Sequence, residues 1–169
     1  MKRRLKRRLT RIGESLRVVL NASPLIVLAE LGVLEDAVRE LFVEAEVPCG
    51  VLAELGRKKD EVFYAVMDLV RRELLRIEEV SRSFPRLGLG ESSAILVALE
   101  KGKVVVLDDK RARRLARELG LEVIGTLSVL RRLYEIGALK MSREQLYIRL
   151  LNMGFYVRKH VFDKVFAKD

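Results

Sequence analysis

The chain has 169 residues, half of them hydrophobic, so it has the length of one domain with a substantial core, and disorder of the whole chain is excluded. Its formal net charge is +9, and it contains one cysteine, Cys49, and one histidine, His160. These counts exclude an internal disulfide framework, a zinc site of ordinary type and a Ser/His catalytic triad within one chain.

The basic charge is concentrated at the start of the chain. The first 17 residues hold eight lysines or arginines and one glutamate, whereas the remainder has 25 basic and 23 acidic residues. We therefore predict a basic N-terminal arm at residues 1–16, which could contact RNA phosphates, an acidic partner or a membrane surface, or be a solvated extension. No apolar run reaches the ~20 residues of a membrane span, and the arm lacks the apolar centre of a signal peptide, so the expected compartment is the cytoplasm. The high charge content and the scarcity of Asn and Gln are typical of thermophile proteins.

Apolar runs separated by Pro and Gly predict strands that alternate with helices. The predicted strands are 18–20, 44–48, 74–80, 103–109 and 121–125. The first predicted helix starts with Ser23 as its N-cap and ends at Gly32, and a later one is opened by a Ser142/Gln145 capping box and ended by Gly154. Two further helices carry Glu54 and, in a first turn, Glu91. The remaining predicted helices are 34–42, 60–71, 110–120, 126–137 and 159–168. This alternation, with short and continuously apolar strands, predicts an α/β fold around a parallel sheet.

Acidic and amide side chains follow the predicted strands. Asn21 stands after the first strand, Asp108 and Asp109 follow the fourth, and Glu54 and Glu91 lie on helices that could face the same edge. Right-handed crossovers place the carboxyl ends of parallel strands together, where ligands of open sheets bind.

Clustered carboxylates need raised pKa values or a counter-ion, and Mg²⁺ or Mn²⁺ prefers such oxygen ligands. Metal-assisted phosphodiester hydrolysis is the chemistry these residues support best. Alternatively, Glu91 complements a helix N-terminus, Glu54 is solvated, and the Asp pair caps the helix beginning at Lys110. Spacing alone leaves both interpretations open.

Four segments together resemble the PIN domain family, in particular the compact prokaryotic branch related to VapC-type toxins. They are "VVLNASPLIVLAELG" (18–32), "VPCGVLAEL" (47–55), "GLGESSAILVALEKG" (88–102) and "VVVLDDKRARRLARELGLEVIGTLSVL" (104–130). The resemblance implies a three-layer α/β/α sandwich with a central parallel sheet. It also implies a PIN-like domain at 17–140 and C-terminal helices at 141–169 that pack on the same domain.

The resemblance further implies an Mg²⁺- or Mn²⁺-dependent endoribonuclease that cleaves single-stranded RNA. Glu54, Glu91 and Asp109 match the metal-binding, catalytic acids that hold the cation. Asn21 and Asp108, the neighbour of Asp109, are expected to complete or orient the metal shell, partly through water. Asn21 stands where most of the family has an aspartate, although this branch often has Asn there. Weaker metal affinity is therefore expected, and slow or absent cleavage stays an open alternative. A toxin–antitoxin role, a homodimer and a small antitoxin partner are implied in the same way.

Other residues and other functions stay open at this stage. Arg111, Arg113, Arg114 and the arm could bind RNA phosphates, or the helix arginines could form an exposed face. One alternative function is a non-catalytic RNA-binding or regulatory protein. Another is a phosphorylated receiver domain, but the sequence offers only "RIEEV" in the middle strand and no lysine after "LEVIG".

Overall fold

The structure, a computed structural model, describes residues 16–80 and 82–167 and contains one parallel five-stranded sheet in that part of the chain. The strands are β1 Leu16–Leu20, β2 Phe42–Pro48, β3 Arg76–Glu78, β4 Val104–Val106 and β5 Val123–Ile124. Their order is β3-β2-β1-β4-β5, and each neighbouring pair is parallel. The connection direction therefore reverses between β1 and β4, which is where open α/β sheets bind ligands. This order also differs from the 2-1-3-4-5 order of receiver domains.

The helices confirm the predicted alternation. They are α1 Ala22–Glu30, α2 Leu34–Glu40, α3 Cys49–Gly56, α4 Glu61–Arg71, α5 Leu89–Lys101, α6 Lys110–Glu118, α7 Thr126–Glu135, α8 Arg143–Asn152 and α9 Lys159–Phe166. The helix predicted at 34–42 ends earlier because Phe42 enters β2, and the strand predicted at 121–125 is limited to two residues. None of these described helices is long and apolar enough to cross a bilayer.

Helix starts test two further predictions. The capping box is confirmed, because the Gln145 N–H donates to Ser142 Oγ (3.1 Å) and the Ser142 N–H donates to Gln145 Oε1 (2.9 Å). The prediction that Ser23 caps α1 is wrong. The helix begins two residues earlier, at Ala22 with Asn21 in the N-cap position, and the Ser23 hydroxyl donates instead to Asp108 Oδ2 (2.9 Å).

The sheet is covered by helices on both faces, which confirms the three-layer fold. On one face, Val19 and Val105 pack in a buried cluster with Ala94 of α5 and Ala112 of α6. On the other face, Val18, Leu20 and Val106 share a core with side chains of α1, α7, α8 and α9, including Leu25, Leu130, Leu146 and Phe162. The alternation of side chains along each strand divides these two cores.

The predicted division of the chain into three parts is not settled by the fold. Phe162 and Phe166 of α9 belong to the same buried core as the sheet residue Val106. The basic arm lies outside the described residues except for Leu16, which opens β1. The boundaries at 17–140 and 141–169 stay a prediction.

Candidate metal and nucleic-acid site

Asn21 follows β1 at the point where the sheet connections reverse. Its backbone N–H donates to the Val106 carbonyl of β4 (3.2 Å), which places it beside the end of that strand. Its side chain is only 6% exposed, it does not cap α1, and its Oδ1 has no hydrogen-bond partner among the described residues. A buried amide oxygen without a partner is rare and costs about 1–3 kcal/mol, so it is suited to receive a cation.

Glu54 and Glu91 meet at the N-terminus of α5. Glu54 extends from α3, which packs against α5, and its Oε1 accepts the Gly90 N–H (2.9 Å). Glu91 Oε2 accepts the Gly88 N–H (3.2 Å). A Cβ on Gly90 would lie 2.7 Å from Glu54 Oε2, so this approach of Glu54 to the helix depends on glycine.

The charges of three acids from three elements act on one another here. Burial raises the pKa of Glu91, and the nearby charges of Asp109 and Glu54 raise it further, against the hydrogen bond from Gly88. Desolvation and like charges both disfavour the ionised form. Glu54, Glu91 and Asp109 are therefore brought into one electrostatic region.

Each of these carboxylates also has a local backbone partner. Asp109 is exposed and caps α6, since its Oδ1 accepts the Ala112 N–H (2.9 Å), while Glu54 and Glu91 bind glycine N–H groups of α5 and the residue before it. One oxygen of Glu91 and one of Asp109 thus accept a backbone N–H at a helix N-terminus, as the capping interpretation predicts. The second oxygen of each of the three acids has no hydrogen bond within the described residues.

The acids are near one another but are not arranged as a finished metal site. Within residues 16–80 and 82–167, no three Asp, Glu, His or Cys side chains are placed as ligands of one ion. Mutual repulsion and the separate N–H partners favour this spread arrangement. A doubly positive ion would oppose both effects.

Asp108 turns away from this group and joins three elements. Its Oδ1 accepts the Thr126 N–H (2.9 Å), and its Oδ2 accepts the hydroxyls of Thr126 (2.5 Å) and Ser23 (2.9 Å). Thr126 is fully buried at the start of α7, so the carboxylate joins the end of β4 to α1 and α7. Sequence reasoning missed both hydroxyl partners, and the available signal was a Thr directly after a predicted strand.

The helix arginines separate into two kinds. Arg111 and Arg114 are exposed, and Arg114 donates to Glu118 one turn away (2.9 Å). Arg113 is partly buried, and its guanidinium lies beside Gly125 and Asp108. Only Arg113 therefore reaches the carboxyl edge of the sheet.

Comparison with known proteins identifies the family. The sequence profile of DUF3368, described as a PIN domain, matches residues 17–168. The chain belongs to the PIN domain family. PIN domains are generally nucleases and typically use divalent metal ions.

Two other comparisons add little to this assignment. A solved structure of a PilT N-terminus domain protein from the hyperthermophilic archaeon Sulfolobus solfataricus is similar, with a TM-score of 0.44 and 18% sequence identity. The match covers 75% of this chain and 97% of that one. A search of curated proteins found no significant match.

The donor set of this PIN domain fits a hard divalent cation. Asn21 offers a buried unpaired amide oxygen, and Glu54, Glu91 and Asp109 each keep one carboxylate oxygen without a hydrogen bond in the described part of the chain. Oxygen-only donors of this kind suit Mg²⁺ or Mn²⁺. Burial and the charges of Asp109 and Glu54 raise the pKa of Glu91, and a cation bound beside it would oppose the effect of those charges.

Proposed function

We propose that this PIN domain is a cytoplasmic, metal-dependent endoribonuclease that hydrolyses phosphodiester bonds in single-stranded RNA. The observation that supports it most is geometric: Glu54, from α3, accepts the Gly90 N–H at the start of α5 (2.9 Å), directly beside Glu91. Burial raises the pKa of Glu91, and the charges of Asp109 and Glu54 add to this effect. Groups with perturbed pKa values at the carboxyl edge of an open sheet are typical of catalytic sites. The resemblance of the same residues to the acids of the family supports the RNA substrate.

The residues have separate roles in this proposal. Glu54, Glu91 and Asp109 would hold Mg²⁺ or Mn²⁺ together with the amide oxygen of Asn21. Such a cation, when bound, polarises the phosphodiester and lowers the pKa of a bound water. Asp108 acts as a positioning residue, because its bonds to Ser23 and Thr126 fix the chain on both sides of the site.

Asn21 favours a second candidate function. A neutral amide contributes an oxygen but no charge, so attraction for a divalent ion is weaker than with four carboxylates. A PIN domain that binds RNA with little or no cleavage would follow if this loss were large enough. Because Asn21 stands in place of a carboxylate, RNA cleavage and RNA binding need to be tested separately.

The test is incubation of labelled single-stranded RNA with the wild-type protein and Mn²⁺, beside Asp109→Asn and Asp163→Asn. Asp163 is the control because it pairs with Lys159 on α9. Internal cleavage by the wild type and by Asp163→Asn, but not by Asp109→Asn, is the expected result. RNA binding by all three proteins without any cleavage would overturn the nuclease and support the binding protein.

We also propose that the protein is a homodimer and the toxin of a toxin–antitoxin pair with a small antitoxin partner. The support is its resemblance to the VapC-related branch. Light scattering tests the dimer, and a monomer at all concentrations would refute it. Expression in a bacterial host tests the toxin, because growth should stop with the wild type and continue with Asp109→Asn.

A further inference from the structure

Arg113 occupies a defined place at the carboxyl edge of the sheet. It lies one helical turn after Asp109 on α6, and positions i and i+4 share one face of a helix. Its guanidinium lies so close to Gly125 that a Cβ on that glycine would be 2.7 Å from Arg113 Nη1. Since Gly125 separates β5 from α7, the guanidinium is at the same edge as the acids.

The hydrogen-bonding capacity of Arg113 is not used within the described residues. A guanidinium carries five N–H donors, yet Arg113 forms no side-chain hydrogen bond or ion pair to any residue in 16–80 or 82–167. Asp108 acts on Arg113 through its charge, and its carboxylate accepts its hydrogen bonds from Ser23 and Thr126.

The surroundings of Arg113 favour an added negative charge. Burial lowers the pKa of Arg113, the like charge of Arg117 lowers it further, and Asp108 offsets only part of this effect. A partly desolvated cation that has no hydrogen-bonded partner among the described residues gains stability when an anion binds to it. Arg117 lies one turn further along the same helix and is exposed, so two positive charges face one region.

We propose that Arg113, supported by Arg117, forms an anion site that binds a phosphodiester group of single-stranded RNA beside the acidic group. This inference rests on the proposed function, because it identifies the part of the site that holds the RNA backbone. The planar fork of an arginine matches two phosphate oxygens, and the guanidinium can lie at this edge because Gly125 has no Cβ to occupy its place. The position one turn from Asp109 would place that phosphate next to the metal-binding acids.

Four variants test the anion site. Arg113→Met removes the charge but keeps a long unbranched side chain, and Arg113→Lys keeps the charge but removes the fork. Gly125→Ala leaves the arginine intact and displaces its guanidinium, while the φ of −103° at Gly125 suits alanine. The added Cβ would also lie 3.3 Å from Asp108 Oδ1, so an unchanged melting temperature is the control for the Asp108 hydrogen bonds. Arg114→Met is the matched control, since it removes one positive charge from the exposed side of the same helix.

Binding of a short single-stranded RNA is measured by fluorescence anisotropy over a range of salt concentrations, with EDTA present so that cleavage does not interfere. Arg113→Met should weaken binding about ten-fold or more and reduce the slope of log K against log salt by about 0.7, the value for one phosphate contact on a single strand. Arg113→Lys and Gly125→Ala should each weaken binding several-fold. Arg114→Met should change it by less than about two-fold.

The anion site and the nuclease fail in different ways. The anion site is refuted if Arg113→Met and Gly125→Ala retain the wild-type melting temperature and have the same RNA affinity and salt slope as Arg114→Met. This holds even if the wild type cleaves RNA. If the wild type shows the Arg113-dependent binding but no Mn²⁺-dependent cleavage, the anion site stands and the nuclease fails. If Arg113→Met lowers the melting temperature, Gly125→Ala decides, because it preserves every charge.

Discussion

The adjacent aspartates Asp108 and Asp109 should differ sharply in what their removal does. Asp108 accepts three hydrogen bonds, two of them from the fully buried Thr126 and one from Ser23. Asp109 is exposed and accepts one bond from the Ala112 N–H. We therefore expect Asp108→Ala to reduce folding stability strongly, and Asp109→Ala to affect it little.

The magnitude follows from the groups that lose their partners. Hydrogen bonds to a charged group contribute about 1.5–3 kcal/mol each, but bonds that share one acceptor are not additive. The buried N–H and hydroxyl of Thr126 would be left unsatisfied, so Asp108→Ala should lower the free energy of unfolding by about 3 kcal/mol. Loss of the Asp109 cap should lower it by about 1 kcal/mol.

Thermal unfolding and urea titration measure the difference directly. For a chain of this length, about 3 kcal/mol corresponds to a decrease of roughly 6–12 °C in the melting temperature. Asp108→Asn should lie between wild type and Asp108→Ala, because its amide oxygen can still accept the Thr126 N–H and hydroxyls can both donate and accept. Equal destabilisation by Asp108→Ala and Asp109→Ala would refute the assigned positioning role.

Three further variants test the acidic group. In metal-free buffer Glu91→Gln should unfold at a higher temperature than wild type near neutral pH. The difference in melting temperature should disappear as the pH falls through the carboxylate range. The reason is that the raised pKa of Glu91 destabilises the folded state only where the carboxyl group is ionised in the unfolded state. A difference that does not change with pH would contradict this. Gly90→Ala should weaken Mn²⁺ binding about ten-fold in calorimetry, because its Cβ would displace the Glu54 carboxylate. Gly56→Ala, whose Cβ would be 3.5 Å from the nearest atom, should leave binding unchanged. Asn21→Asp should bind Mn²⁺ about ten-fold more tightly and lower the melting temperature of the metal-free protein. An unchanged affinity would show that Asn21 is not a ligand of the ion.

The order of the elements could be predicted because local signals agree with the fold. The short β-branched run Val104–Val106 follows Lys103 and is followed by Leu107 and the aspartate pair, and Pro48 ends β2 directly before α3. Placing Asn21 and Asp109 at one edge needed only the parallel sheet and right-handed connections.

The separate roles of Asp108 and Asp109 could not be predicted from their adjacency. Which carboxylate turns inward depends on the N-terminus of α7, where Thr126 supplies two donors from 18 residues further along the chain. Ser23 looked like a helix cap because Ser-Pro is a common helix start, yet long-range packing gave its hydroxyl another acceptor.

Burial of charged side chains was the other feature that the pattern did not reveal. Glu46 in β2 is almost fully buried and pairs with Lys103 (2.6 Å) and Lys101 (3.0 Å), although alternation alone would allow it an exposed position. Arg113 likewise looked equivalent to Arg114 until α6 was placed against Gly125. Such features depend on contacts between elements that are distant in sequence.

Calorimetric titration of the full chain with Mn²⁺ tests most directly whether Glu54, Glu91 and Asp109 act together on one cation. We expect uptake of a single ion per chain, with an affinity that Asp109→Asn lowers strongly and Asp163→Asn leaves unchanged. No uptake at millimolar Mn²⁺, or equal uptake by all three proteins, would contradict it.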